Sequence, residues 1–318
     1  MRSIYRAAVL AGIIVALAAC TSEGGSIGSP REAKAADASS AARKIGEIAG
    51  LDGPEAVLYD PDQDIYFISN IVGFGSIKDG AAYIARASGA DLKQLEVFIQ
   101  SGSNDVTLHA PKGMALQGDT LWVADIDVLR GFHRRTGALL ATVDLSAQGA
   151  MLLNDLTLAP DGRIYVTDTG ITMDTAGVVY RQASKIFVVG PDGAPAVLRQ
   201  SSEIKHPNGI VWDSKGSRLV VVNFPHFSSE VYALQGNQSQ VLARGHGRFD
   251  GVVALPDGGL LVTSWSDSSV HLVSPNGNQR IIRGLSQPAA LGLDARRRRI
   301  AIPLVMVNRV EFWALPPS

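Results

Sequence analysis

The sequence predicts an all-β protein, specifically a six-bladed β-propeller. A strand–turn–strand pattern recurs six times, and its copies begin about 39 to 57 residues apart. Two further strands follow in most copies, which makes four strands per repeat. Four short strands in roughly 40 to 50 residues, repeated along a chain, are typical of propeller blades. A sandwich or a closed barrel needs no such period.

The copies begin at equivalent positions of the repeat. In chain order they read EAVLYDPDQDIYFISN from Glu55, KGMALQGDTLWVAD from Lys112, NDLTLAPDGRIYVTD from Asn154, NGIVWDSKGSRLVVVN from Asn208, DGVVALPDGGLLVTSW from Asp250 and AALGLDARRRRIAIPL from Ala289. Each copy predicts a hairpin, because β-branched and other apolar residues flank a turn rich in Asp and Gly. The longer spacings after the first and third copies predict insertions at about 71–82 and 170–184, which we expect to act as lids that set specificity.

The last copy has three strands before the chain ends. The segment ARKIGEI, residues 42–48, precedes the first copy and is predicted to supply the missing outer strand of the last blade. Pairing of this kind closes the ring and removes two free sheet edges. We therefore predict one propeller domain over residues 42–318.

The composition limits the possible functions. The chain has 318 residues, 46% hydrophobic and 19% charged, which excludes a disordered protein. A net charge of −1 argues against nucleic acid as a partner, because phosphate binding needs an excess of Lys and Arg. The single cysteine excludes a disulfide framework and a cysteine zinc site.

The amino terminus predicts export. Residues 1–19 carry two arginines and then a short apolar stretch, which is typical of a signal peptide. The stretch ends in LAAC, which resembles the lipobox of bacterial lipoproteins, so Cys20 is predicted to be lipidated; an ordinary cleavable signal is the alternative. Residues 20–41 are rich in Ser, Gly and Ala and predict a flexible tether. We expect a lipid-anchored protein, on the periplasmic face of the outer membrane if the host is Gram-negative.

The first residue of each repeat is the candidate functional position. In a propeller the innermost strands line the central channel, so equivalent positions form one ring; here they are Glu55, Lys112, Asn154, Asn208, Asp250 and Ala289. Buried carboxylates that face one another are unfavourable unless a cation binds between them. Oxygen ligands favour Ca²⁺, with Mg²⁺ or Mn²⁺ next, whereas Zn²⁺ more often takes His or Cys. The alternative is that these residues only begin strands, with Lys112 neutralising a carboxylate.

Four stretches carry a family resemblance: GPEAVLYDP, LLNDLTLAPDGRIYVTD, HPNGIVWDSKG and RFDGVVALPDGG. In this order, each opening a blade, they resemble the SMP-30/gluconolactonase-like family, also called the regucalcin family. The resemblance implies a six-bladed propeller with one divalent cation in its channel. It implies that Glu55, Asn208 and Asp250 are ligands and that Asn154 contacts the metal or the substrate. Lys112 departs from the pattern, and the family's other substrate-contacting side chains have no clear match.

The leading functional prediction is a divalent-metal-dependent hydrolase of lactones or related esters. Asp250 would accept the proton of the attacking water, and Asn154 would help to fix the substrate or its oxyanion. Lys112 and His206 are predicted to line the channel and contact the small-molecule substrate. The alternative is a non-catalytic periplasmic propeller that binds a ligand or a protein, and phosphotriester hydrolysis is a weaker option. We expect a monomer.

Other residues have structural interpretations. A second column ends the second strand of each hairpin: Asn70, Asp125, Asp168, Asn223 and Ser264. We favour the interpretation that these residues stabilise the turns at the strand ends, over the alternative that they orient metal ligands. The four tryptophans, Trp122, Trp212, Trp265 and Trp313, are expected to pack between blades. The arginine run at 296–299 is expected to form a solvated hairpin tip.

Overall fold

The structure is a computed structural model that describes residues 41–316 except 74, 104, 182–183 and 201–203. The expected signal peptide, Cys20 and all of the tether except Ala41 lie outside the described residues. Among the described residues, no helix is both long and apolar enough to cross a membrane.

Six four-stranded antiparallel sheets form the blades of the propeller. Blade 1 comprises β2 (Pro54–Asp60), β3 (Ile65–Asn70), β4 (Tyr83–Ser88) and β5 (Glu96–Gln100), and blade 2 comprises β6 (Pro111–Gln117), β7 (Thr120–Asp125), β8 (Val128–His133) and β9 (Leu139–Asp144). Blade 3 comprises β10 (Leu153–Leu158), β11 (Ile164–Asp168), β14 (Lys185–Val189) and β15 (Pro195–Gln200), and blade 4 comprises β16 (Pro207–Asp213), β17 (Arg218–Asn223), β18 (Ser229–Gln235) and β19 (Gln238–Gly245). Blade 5 comprises β20 (Phe249–Ala254), β21 (Leu260–Ser264), β22 (Ser269–Ser274) and β23 (Gly277–Arg283), and blade 6 comprises β24 (Gly292–Asp294), β25 (Arg299–Leu304), β26 (Arg309–Ala314) and β1 (Arg43–Ala49).

Smaller elements connect these strands. The hairpin β12 (Ile171–Asp174) and β13 (Gly177–Tyr180) is the insertion predicted in blade 3. The insertion predicted in blade 1 is the segment between β3 and β4, whose described residues form no strand. Single 3-10 turns occur at Ser146–Gln148 and Val305–Val307.

The amino-terminal strand closes the ring as the sequence predicts. Strand β1 pairs antiparallel with β26, with Glu47 opposite Glu311. The ammonium of Lys44 donates to the Glu311 carboxylate at 2.8 Å across this pair. Aromatic packing joins blade 6 to blade 1, since the ring centroids of Phe312 and Tyr66 lie 5.1 Å apart and both side chains are fully buried.

The aspartates of the hairpin turns have a local structural role. Asp213 ends the innermost strand of blade 4, and its Oδ1 accepts hydrogen bonds from the backbone N–H groups of Lys215 and Gly216, both at 3.1 Å. Its second oxygen accepts from the Arg218 guanidinium at 3.0 Å. One carboxylate therefore satisfies the tip of the turn and the start of the next strand, which explains why the repeat carries Asp there.

The arginine run departs from the expected solvated tip. Arg297 is exposed, but it forms ion pairs with Asp64 of blade 1 at 2.7 Å and with Asp294 at 2.9 Å. Arg299 is buried and lies 3.2 Å from the Asp294 carboxylate. The Arg299 guanidinium also donates to the carbonyl oxygen of Gly89, directly after β4, at 2.8 Å. The run therefore links blade 6 to blade 1.

The contact between blades 6 and 1 can be tested by measuring stability. Phe312→Ala removes a fully buried ring and is expected to lower the free energy of unfolding by about 3–5 kcal/mol, with a fall in Tm of about 10 °C measured by calorimetry. Phe227→Ala is the matched control because Phe227 is 83% exposed, and it should change Tm by about 1 °C or less. Equal effects of the two substitutions would contradict closure at this seam.

Candidate active site at one end of the channel

The ring residues occupy the same place in each innermost strand. Each lies second in its strand: Glu55 in β2, Lys112 in β6, Asn154 in β10, Asn208 in β16 and Asp250 in β20. In all five blades the pairing with the second strand shifts register at this point. A β-bulge re-aims a side chain out of the regular alternation. The bulges therefore turn these polar side chains toward the channel axis.

These five side chains line one cavity at the end of the channel where the innermost strands begin. The cavity has a volume of about 30 Å³, enough for an ion or a water molecule. The ring position of blade 6 is Ala289, a buried methyl group. The structure thus brings together Glu55, Asn154, Asn208 and Asp250, as the repeat alignment predicts.

Four oxygen atoms at this cavity lack hydrogen-bond partners. They are Glu55 Oε2, Asn154 Oδ1, Asn208 Oδ1 and Asp250 Oδ1, and each is fully buried. A buried polar atom without a partner is costly, and a carboxylate or carbonyl oxygen can only be satisfied by a donor or a cation. Two carboxylates and two carboxamides are a suitable ligand set for Ca²⁺ or Mg²⁺. In the described part of the chain, no three His, Cys, Asp or Glu side chains lie together as a metal site. A cation bound at this cavity would therefore need the two carboxamides as ligands.

Lys112 is committed to backbone contacts. Its ammonium donates to the carbonyl oxygens of Gly75 at 2.9 Å and of Ala110 at 3.1 Å. It therefore holds the blade 1 loop over the cavity, while the four acceptor oxygens stay unpaired. Neutralisation by Lys112 alone, the alternative to a cation, does not satisfy them.

Burial dominates the electrostatics of the cluster. It raises the pKa of Glu55 to about 8, and the Lys112 charge opposes this while Asp155 adds to it. Burial also raises the pKa of Asp250 well above its usual range, and the charge of Glu55 adds to the effect. Burial lowers the pKa of Lys112, against the attraction of Glu55. Without a cation, protonation is the available way to relieve this repulsion.

Asp155 lies next to the ring but outside the cavity. Its carboxylate accepts hydrogen bonds from the backbone N–H groups of Leu156 at 2.9 Å and Ile210 at 3.0 Å. Burial raises its pKa to about 7 even so, and the two N–H groups oppose the rise. Because Ile210 belongs to blade 4, this contact links the innermost strands of blades 3 and 4.

Carboxylates of the second column, at the ends of the second strands, hold the backbone segments that precede the innermost strands. The carboxylate of Asp125 accepts from the N–H groups of His109 at 3.0 Å and Ala110 at 2.8 Å. The carboxylate of Asp168 likewise accepts from Met151 and Leu152, at 2.8 and 3.0 Å. These bonds are turn chemistry, as favoured from the sequence. They also fix the backbone just before Lys112 and Asn154, which positions the ring.

Two insertions meet above the cavity. The Ser76 hydroxyl of the blade 1 loop donates to the carbonyl of Met173 and accepts from its N–H group, both at 2.7 Å. Met173 belongs to the β12–β13 hairpin of blade 3, and both Gly75 and Met173 line the cavity. The two predicted insertions therefore cover the site together.

His206 is not among the described residues that line the cavity. Its Nδ1 lies 2.9 Å from the carbonyl oxygen of Thr169 and 3.2 Å from the hydroxyl of Ser184. Its ring packs on Tyr180, with centroids 4.9 Å apart. His206 thus supports the base of the hairpin, two residues before Asn208, which is a different place from the predicted channel lining.

The apolar wall was not predicted. It comprises Ile71, Leu152, Ile171, Met173, Phe224, Trp265 and Val305. Trp265 of blade 5 packs against Phe224 of blade 4, as expected, and it also lines the cavity. The sequence contains a pattern that could have predicted this wall. Four of its residues directly follow the second strand of their hairpin: Ile71, Phe224, Trp265 and Val305. The alignment of repeats could have identified this third column.

The fold and the site define a six-bladed propeller with an oxygen-rich cluster at one end of its channel. Residues 54–291 match the sequence profile of the SMP-30/gluconolactonase/LRE-like region. The chain therefore belongs to this family, as the resemblance indicated. No curated protein matches the chain.

Solved structures share the fold at low sequence identity. A gluconolactonase from Xanthomonas campestris aligns with a TM-score of 0.62 and 16% identity over 87% of this chain and 95% of its own. A luciferin-regenerating enzyme aligns with a TM-score of 0.65 and 11% identity, over 86% and 94%. A catalytically inactive virginiamycin B lyase from Staphylococcus aureus aligns with a TM-score of 0.57 and 14% identity, over 86% and 99%. The likeness extends over the propeller and establishes the fold.

The raised pKa values predict how stability depends on pH. The folded cation-free protein keeps protons on Glu55 to about pH 8, whereas an unfolded carboxyl loses them near pH 4. Stability of the cation-free protein should therefore fall as pH rises through this window. A calcium ion held by these oxygens would compete with the protons. Calcium at about a hundredfold excess over Kd should therefore raise Tm by about 5–10 °C at pH 8.5 and by less at pH 6. Calorimetry of chelator-treated protein measures both effects.

Glu55→Gln provides the matched test of this dependence. The variant loses one titrating carboxyl and one anionic ligand, so we expect a smaller rise in Tm with calcium and a flatter pH profile. Glu47→Gln is the control, because Glu47 is exposed on β1. An undiminished calcium response in Glu55→Gln would exclude Glu55 as a ligand.

Proposed function

We propose that the protein is a divalent-cation-dependent hydrolase of lactones or related esters, with Ca²⁺ as the favoured ion. The observation that carries this proposal is the set of four buried acceptor oxygens around one small cavity. Glu55, Asn154, Asn208 and Asp250 would hold the cation. Membership of a family that includes gluconolactonases supports the same reaction class.

The cation, when bound, supplies a Lewis acid for the substrate carbonyl. Asp250 accepts the proton of the attacking water at its carboxylate, which the nearby positive charge keeps ionised. Asn154 presents its amide N–H to the carbonyl oxygen of the substrate, where negative charge develops. Lys112 adds positive charge at the same site, since its buried ammonium lines the same cavity.

The covering loops contribute by excluding water. The paired contacts between Ser76 and Met173 hold the two insertions together above the ring. Lys112 fixes the same cover from below through the Gly75 carbonyl. A site that is dry strengthens each electrostatic contact with the reacting carbonyl.

Asp250→Asn tests the proposed proton acceptor. The amide keeps an oxygen for the cation but cannot take a proton, so we expect kcat for lactone hydrolysis to fall about 10²- to 10⁴-fold. Tm without calcium should change little. Calcium binding should weaken because one anionic ligand becomes neutral, so kcat is measured at saturating calcium. Asp192→Asn is the control, because Asp192 is exposed in the turn between β14 and β15. A kcat within tenfold of the unmodified protein, with calcium still bound, would contradict this role.

Metal analysis followed by a chelator experiment tests the function as a whole. The purified protein is assayed against a panel of lactones before chelation, after chelation and after calcium is restored. Chelator-sensitive turnover is the expected result. Absence of bound metal together with absence of turnover would instead favour a non-catalytic binding module.

We also propose that the protein is exported and anchored to a membrane by lipid at Cys20. The support is the signal-like sequence of residues 1–19 and the lipobox-like LAAC that ends at Cys20. The full chain expressed in a Gram-negative host should fractionate with membranes, and Cys20→Ser should shift it toward the soluble fraction. An unchanged distribution would contradict the anchor.

A further inference from the structure

We propose that this site takes lactones that carry an apolar chain, in preference to polyhydroxylated sugar lactones. The inference rests on the proposed function and specifies the substrate class of the same site. It follows from the division of the cavity into a polar floor and an apolar wall.

The floor contains all the charged and carboxamide groups of the described lining. They are Glu55, Lys112, Asn154, Asn208 and Asp250, which the cation and the reacting carbonyl engage. Little hydrogen-bonding capacity is left for other parts of the substrate.

Most of the wall is one apolar cluster, and Ile71 and Val305 belong to a second one. In the main cluster, Leu152, Ile171 and Phe224 are almost completely buried, and Met173 and Trp265 pack against them. The rings of Phe224 and Trp265 meet edge to face, with centroids 5.1 Å apart at an interplanar angle of 84°. Apolar surface of a substrate placed here would leave water and gain dispersion contacts.

The wall offers one polar side-chain atom. Among the described lining residues outside the floor, only Trp265 carries one, and its indole Nε1 is buried without a hydrogen-bond partner. It can donate to a single substrate oxygen. A sugar lactone presents several hydroxyl groups, and those left unpartnered against this wall would be unfavourable. The same wall accommodates an alkyl chain without this penalty.

The covering loops fit this interpretation. The cavity of about 30 Å³ is too small for a lactone ring, so a substrate must displace a side chain that lines it. Met173 is suited to this, because its unbranched thioether adapts to irregular apolar groups. Its Sδ would lie only 3.4 Å from a β-carbon placed on Gly75, so it lies at the junction of the two insertions.

The first test compares three lactones on the calcium-loaded full chain. We expect kcat/KM to be highest for δ-decanolactone, lower for δ-valerolactone and lowest for glucono-1,5-lactone, with at least about a 100-fold difference between the first and last. The proposal would be overturned if kcat/KM for glucono-1,5-lactone equalled or exceeded kcat/KM for δ-decanolactone.

Binding measurements separate this inference from the proposed function. Calorimetry compares 2-pentylcyclohexanone, which cannot be hydrolysed, with myo-inositol as a polyhydroxylated ring. Binding of the ketone alone, with no lactone turned over, would refute the hydrolase and retain the apolar ligand class. Binding of inositol as tight as that of the ketone, or binding of neither, would overturn the inference.

Met173→Gln tests the wall directly with a side chain of similar length. It should lower kcat/KM for δ-decanolactone about tenfold more than kcat/KM for δ-valerolactone, with little change in Tm. Met306→Gln is the matched control, because Met306 is 66% exposed, and it should preserve the preference. An equal loss for both lactones in Met173→Gln would indicate a structural role and contradict the proposal.

Discussion

The close approach of the six innermost strands around the channel axis underlies the rest of the structure. The ring closes through direct hydrogen bonds between blades 6 and 1, in which the N–H of Ala290 donates to the carbonyl of Glu55 at 2.9 Å and the N–H of Val57 donates to that of Ala290 at 3.0 Å. A β-carbon on Gly251 would lie 2.6 Å from the Cα of Ala290, so the residue after Asp250 has to be glycine. The tight ring brings side chains that are far apart in sequence within reach of one ion.

The same closeness creates an electrostatic conflict that the fold alone does not resolve. Glu55 and Asp250 are both buried, and burial raises the pKa of each carboxyl group. The charge of Glu55 raises the pKa of Asp250 further, and Lys112 only partly offsets these effects. The oxygens of Asn154 and Asn208 add dipoles that also need a positive partner. A divalent cation would satisfy all four groups at once, which protonation cannot do because the amide oxygens do not titrate in this range.

Much of the architecture was accessible from the sequence because repeats convert local patterns into global geometry. Six copies of one hairpin predicted six blades, and the missing strand of the last copy predicted the pairing of β1 with β26. The ring of Glu55, Asn154, Asn208 and Asp250 followed from alignment of the copies. These inferences needed only the order of elements along the chain.

Features that depend on contacts between blades were harder to predict. The wall residues Phe224 and Trp265 were missed because aromatic side chains at strand ends can face a core or a cavity, and spacing does not distinguish them. Arg297 pairs with Asp64 of blade 1 at a seam that exists only once the ring has closed. His206 was placed with the channel because it is near Asn208 in sequence, but its positive φ of 60° belongs to a turn that places the ring beside the hairpin.

The bulge at the start of five innermost strands allows one backbone geometry to present different side chains. Five blades use the same register shift to present a carboxylate, an ammonium, an amide, an amide and a carboxylate. Strand pairing on both sides of the bulge involves main-chain atoms, so it is largely indifferent to which side chain stands there. Single substitutions at these positions can therefore alter the reaction while the scaffold persists, and a propeller of this kind can diversify one blade at a time.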